Sequence, residues 1–162
     1  DIQFIIKGAI KEAGLLFLLN KYISNKTGIY PFGANFDVRN APKTFNELVN
    51  LCREKITREQ MPLIIGVGDT VTSEKDSKHN SWRRGGSDRG FLTLIKKLGD
   101  LYKKDNQVIF VNSSNDQVSR PRVNGSDMTG ISDANDYLKF NLIINNGPEE
   151  YIEWFKKLAN NF

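Results

Sequence analysis

The sequence has 162 residues, enough for a domain that buries roughly 70% of the surface its unfolded chain exposes. It is 39% apolar, 10% aromatic and 26% charged, which argues against disorder, and no apolar run approaches the ~20 residues that cross a bilayer. One cysteine (Cys52) and one histidine (His79) exclude an intrachain disulfide and a zinc cage, and a net charge of +4 suits a small anionic partner.

The chain opens on Asp1, and Ile2-Gln-Phe-Ile-Ile6 already reads as a strand with no leader peptide before it, so a piece of something longer is expected. Glu12 to about Asn25 carries apolar residues nearly all round, which predicts a helix sandwiched between layers. Thr27 to Lys43, with Gly28, Pro31, Gly33 and Pro42, reads as an ordered loop. Thr44-Phe-Asn-Glu47 is a capping box, and the helix behind it aligns Phe45, Leu48, Val49, Cys52 and Ile56 on one stripe. Cys52 is then a small core residue rather than a reactive thiol.

Pro62-Leu-Ile-Ile-Gly-Val67 is an unbroken apolar run, expected as a strand buried on both faces of a parallel sheet. A polar segment runs from there to Gly86 and includes His79, whose unshielded surroundings disfavour serine- or cysteine-hydrolase chemistry. Ser87 or Asp88 can cap a helix bearing Phe91, Leu92, Leu94, Ile95 and Leu98 and ended by Gly99. Gln107–Val111 is a second buried-type strand, 112–136 a hairpin or long loop, and Leu138–Ile144 a third strand. Pro148, Glu149 and Glu150 open a last helix with Tyr151, Phe155, Leu158 and Phe162 on its buried stripe. The β–α alternation after Pro62 predicts an α/β layered fold.

Ligands of open α/β sheets sit at the carboxyl ends of the strands, where Asp69 follows the first strand and Asp88 opens the next helix. Two such carboxylates can hold a magnesium ion, which takes oxygen ligands and keeps waters for phosphate contact. A helix cap and a turn residue are the plainer roles for them. Lys11, at the start of a buried helix, can place an ammonium on a phosphoryl oxygen. Gly85, Gly86 and Ser87 offer backbone donors at a helix N-terminus, and Arg83, Arg84 and Arg89 either add positive charge for a phosphorylated substrate or are simply solvated.

Three segments carry a resemblance: Lys11-Glu-Ala-Gly-Leu-Leu-Phe-Leu-Leu19, Leu63-Ile-Ile-Gly-Val-Gly-Asp-Thr-Val-Thr-Ser73 and Arg84-Gly-Gly-Ser-Asp-Arg-Gly-Phe-Leu92. Together with 108–114 and 137–144 they resemble the glucosylglycerol-phosphate phosphatases, haloacid-dehalogenase-like enzymes of salt tolerance. That resemblance implies the C-terminal half of a Rossmannoid parallel-sheet core at 61–162, with a remnant of the cap and connecting helices at 1–60. It also implies magnesium-dependent hydrolysis of glucosylglycerol 3-phosphate, with Lys11 catalytic, Asp69 and Asp88 on the metal, and Thr70, Arg84, Gly86 and Ser87 on the phosphate. This chain departs from the family's Gly-Asp-x-x-Asn-Asp motif, because Thr72-Ser73 stands where Asn-Asp is usual. Ser87-Asp88 is then the displaced equivalent, with 74–86 as an insertion.

The family's nucleophilic Asp-x-Asp segment is absent from the 162 residues, so the chain alone is expected to lack turnover. The missing strand would flank 63–67, leaving an edge open to dimerisation. The expected partner is a sugar phosphate in the cytoplasm, with no nucleic acid and no membrane. Sucrose phosphate is the nearest alternative substrate. A non-catalytic anion- or nucleic-acid-binding module is the alternative of a different class, and steep salt sensitivity would mark nucleic-acid binding.

Overall fold

The computed structural model describes residues 10–113 and 127–160; the strand expected at 2–6, the tip of the 112–136 segment and Phe162 lie outside them. Two compact units emerge. One comprises the described residues up to Ile64 together with Leu94–Asn106; the other comprises Ile65–Thr93 and the described residues from Gln107 onward.

In the first unit, α1 (Lys11–Thr27) buries Ala13, Leu16, Leu19 and Ile23. Leu18 is 65% exposed and Tyr22 46%, so the expected sandwich is corrected: among the described residues this helix is covered on one face. The segment after it is ordered, because buried Asn20 accepts from Phe32 N (2.9 Å) and donates to Gly33 O (3.0 Å). Helix α2 (Phe45–Lys55) starts at the expected capping box, in which Thr44 Oγ1 accepts from Glu47 N while Glu47 Oε2 accepts from Thr44 N. Leu48, Val49, Cys52 and Ile56 are buried on its stripe, and burial pushes the Cys52 thiol up to about 12.

Helix α3 (Arg89–Tyr102) has its first turn in the second unit and the remainder in the first. It runs past Gly99, contrary to expectation. Lys103, at φ +55°, ends it instead, and Lys104 N donates to Gly99 O in a Schellman-type closure. Gly99 serves close packing, since a Cβ there would lie 3.0 Å from Lys104 O.

The second unit holds a parallel sheet in the order β1 (Ile65–Gly68), β4 (Gln107–Val111), β5 (Leu142–Ile144). Between β1 and β4 in sequence stands an antiparallel hairpin, β2 (Thr72–Asp76) and β3 (Ser81–Gly85), in the segment expected to be an irregular polar insertion. The expectation of a first strand buried on both faces is also corrected. Leu63 and Ile65 are 59% and 45% exposed, and among the described strands β1 pairs only with β4. The third strand is shorter than expected, beginning at Leu142 rather than Leu138. Residues before it are turned by side chains: Leu138 N donates to Asp136 Oδ1, and Asn141 Oδ1 accepts from Val108 N.

Helix α4 (Pro148–Ala159) lays Tyr151 and Trp154 against Ile109, Val111 and Ile144 of the sheet. It buries no residue fully, so its stripe is half-covered. Among the described residues no helix is long and apolar enough to cross a membrane.

Candidate functional site

The second unit brings Asp69, Thr70, Gly86, Ser87 and Asp88 to one place at the carboxyl end of β1. The chain leaves β1 through Gly68, where a Cβ would lie 2.9 Å from both Asp88 Cβ and Leu92 Cδ1. Only glycine lets the strand end approach the start of α3 so closely. Asp88 is buried, and its Oδ2 accepts from Asp69 N and from Thr70 N, both at 2.9 Å. Asp88 N in turn donates to Thr70 O at 3.0 Å. The carboxylate at the head of α3 therefore reaches back and fixes the turn after β1, which a simple helix cap does not do.

Gly86 sits at φ +101°, and a Cβ there would overlap the Thr70 carbonyl. Gly86 and Ser87 are exposed beside this turn, at the N-terminal end of α3. Asp69 is partly buried and oriented by two hydroxyls. Thr70 Oγ1 donates to its Oδ1 at 2.7 Å, and Ser113 Oγ donates to its Oδ2 at 2.5 Å. Ser113 was not picked out from the sequence. It lies two residues past the end of β4, at the same carboxyl edge of the sheet, and that position was the available signal.

Arg84, expected on phosphate, is turned elsewhere. Its Nε and one terminal nitrogen grip the carboxylate of buried Asp133 at 2.9 and 2.8 Å, in the two-pronged geometry guanidinium favours. Ser73 Oγ adds a third bond to that carboxylate at 2.7 Å. The Arg84 guanidinium, helped by Ser73 and Asn135 N, holds the Asp133 carboxyl well below the usual carboxylate range. Arg89 is a second staple. It donates to Gly85 O, Thr72 O and Ile131 O, and it pairs with Asp136 at 2.9 Å. These two arginines tie the root of the hairpin to the 131–136 segment, a role that composition does not disclose.

His79 stands in the hairpin turn, with its ring 2.8 Å from Asp76. Lys11 is exposed at the first position of α1, in the other unit. The donors around Asp69 are hard oxygens, carboxylate and hydroxyl, which match magnesium rather than a soft metal. Among the described residues no group of three or more His, Cys, Asp or Glu is placed to hold a metal, so this site would supply at most two carboxylates.

Residues 1–159 match the family described as glucosylglycerol-phosphate phosphatase. The chain belongs to that family. It is 41% identical over 170 aligned positions to a glucosylglycerol-phosphate phosphatase of Synechocystis sp., an alignment that covers 98% of this chain. The chain spans 40% of the length of that relative. No solved structure matches it. Membership of the glucosylglycerol-phosphate phosphatase family thus rests on a match across nearly the whole chain, including the turn that Asp88 fixes.

Proposed function

We propose that this chain supplies the metal- and phosphate-facing part of a magnesium-dependent phosphatase that converts glucosylglycerol 3-phosphate to glucosylglycerol and phosphate. The core around it is haloacid-dehalogenase-like, with the end of a cap in residues before 61. The observation that carries this reading is the doubly accepted hydrogen bond at Asp88 Oδ2, which holds Asp69 at the carboxyl end of a parallel strand.

Each residue then has a task. Thr70 and Ser113 fix the rotamer of Asp69, so that its carboxylate is oriented before substrate arrives. Asp69 would hold the magnesium ion. Asp88 Oδ2 accepts twice from the turn, so the first task of this carboxylate is to hold the backbone on which Asp69 stands. When bound, magnesium neutralises charge developing on the phosphoryl oxygens. The backbone at Gly86 and Ser87, at the head of α3, suits the phosphate itself. Lys11 lies in the other unit, and its task as an ammonium on a phosphoryl oxygen rests on the family resemblance alone. Arg84 is not needed on the phosphate, because Asp133 already engages it. No Asp-x-Asp segment occurs in the 162 residues, so the nucleophile comes from elsewhere in the whole protein and this chain by itself turns nothing over.

The test is phosphate release by the full-length protein on glucosylglycerol phosphate, with sucrose phosphate beside it. Asp69→Asn should lower magnesium-dependent release at least ~100-fold, the scale on which a preorganised electrostatic group acts. Full activity in that variant would remove Asp69 from the metal site.

A further inference from the structure

The β2–β3 hairpin overhangs a cavity of about 730 Å³, within the size range of small-molecule sites. Along the hairpin, Ser73 and Lys75 on β2 share one face with their cross-strand partners Arg84 and Trp82 on β3. The two pairs have different fates. Ser73 and Arg84 close onto Asp133, Ser73 and Asp133 still lining the cavity, whereas Lys75 and Trp82 line it without joining that contact. Met128, Phe140 and Ile143 give it apolar walls, and Asp127, whose Oδ1 accepts from Thr129 N and Oγ1, also lines it. Trp82 is 40% exposed, so this large aromatic ring is not a packed core residue.

We propose that this cavity is the subsite for the glycosyl group of the substrate, with the phosphate at the Asp69–Asp88 turn; the proposal rests on the phosphatase reading above. A pyranose ring presents a C–H face and a belt of hydroxyls, and it needs an aromatic plate with charged or polar groups beside it. Trp82 is the plate, and Lys75 and Asp127 are the rim groups for hydroxyls. Ser73, which lines the cavity, lies four residues beyond Asp69, so the two are at most about 14 Å apart along the chain. The hairpin is thus a specificity element inserted between the catalytic carboxylates, and Trp82 is its principal contact.

The experiment uses the full-length protein and two esters, glucosylglycerol phosphate and glycerol 3-phosphate. Trp82→Ala should lower the ratio of kcat/KM for the first over the second by tenfold or more, mainly through KM. Trp82→Tyr should restore that ratio to within threefold of wild type. A ratio that stays within twofold of wild type in Trp82→Ala overturns the subsite. Should the wild-type protein release phosphate from neither ester, the phosphatase reading itself fails. The subsite is then judged by titrating phosphate-free glucosylglycerol against indole emission. A saturable change that disappears in Trp82→Phe supports it, and a flat titration overturns it.

Discussion

Gly68 and Asp88 decide how near the end of β1 comes to the start of α3. An added methyl at residue 68 would meet side-chain carbons of Asp88 and Leu92 at 2.9 Å, and neither is the loose end of a mobile chain. Gly68→Ala should therefore push Asp88 away from the amides of Asp69 and Thr70. The expected cost is about 1–3 kcal/mol of stability, measured by urea unfolding, together with loss of the proposed phosphate release in the full-length protein. A variant as stable and as active as wild type would mean the turn accommodates the methyl. At this scale the sequence was partly legible. Cys52 reads as core from its place on an apolar stripe, and Asp69 and Asp88 read as a pair from their positions after a strand and before a helix. Ser113 and Asp133 were hidden, because their importance depends on partners 44 and 60 residues away in sequence.

The hairpin shows what element-level reading lacks. β2 and β3 are polar strands without alternating apolar residues, so no hydrophobic period announces them. Their stability comes from charge pairs and backbone acceptors instead: Arg84 on Asp133, Arg89 on three carbonyls, Arg83 on Glu74. That origin makes the hairpin sensitive to acid. Asp133 titrates lower in the folded chain than unfolded, so its contribution is full above the ordinary aspartate range, begins to fall as pH drops into that range, and is lost only as pH falls through the carboxyl's lowered folded-state value. Asp133→Asn should destabilise the fold by roughly 2–3 kcal/mol at pH 7. The gap from wild type should narrow below about pH 4. Urea unfolding at pH 7 and pH 3 checks this, and a gap independent of pH would place the effect in packing rather than charge.

For the whole molecule, the α/β class and the parallel strand Gln107–Val111 were legible from apolar runs and caps. Coverage was not. Leu18, Tyr22, Leu63 and Ile65 look like core residues by type, yet they are exposed among the described residues. Type records what a side chain prefers, not whether a neighbour is there to meet it. Among the described strands β1 pairs only with β4, and an exposed Ile65 on it favours strand-to-strand pairing between copies. The 162-residue chain should therefore self-associate at micromolar concentration in light scattering. Ile65→Lys should shift it toward monomer, and a monomeric wild-type chain would show the edge to be harmless.

Arg89 grips the hairpin only at its root, at Thr72 and Gly85, while the bend at 77–80 is held by its own local bonds. Evolution can therefore lengthen or trim that bend among relatives without disturbing the register of Asp69 and Asp88.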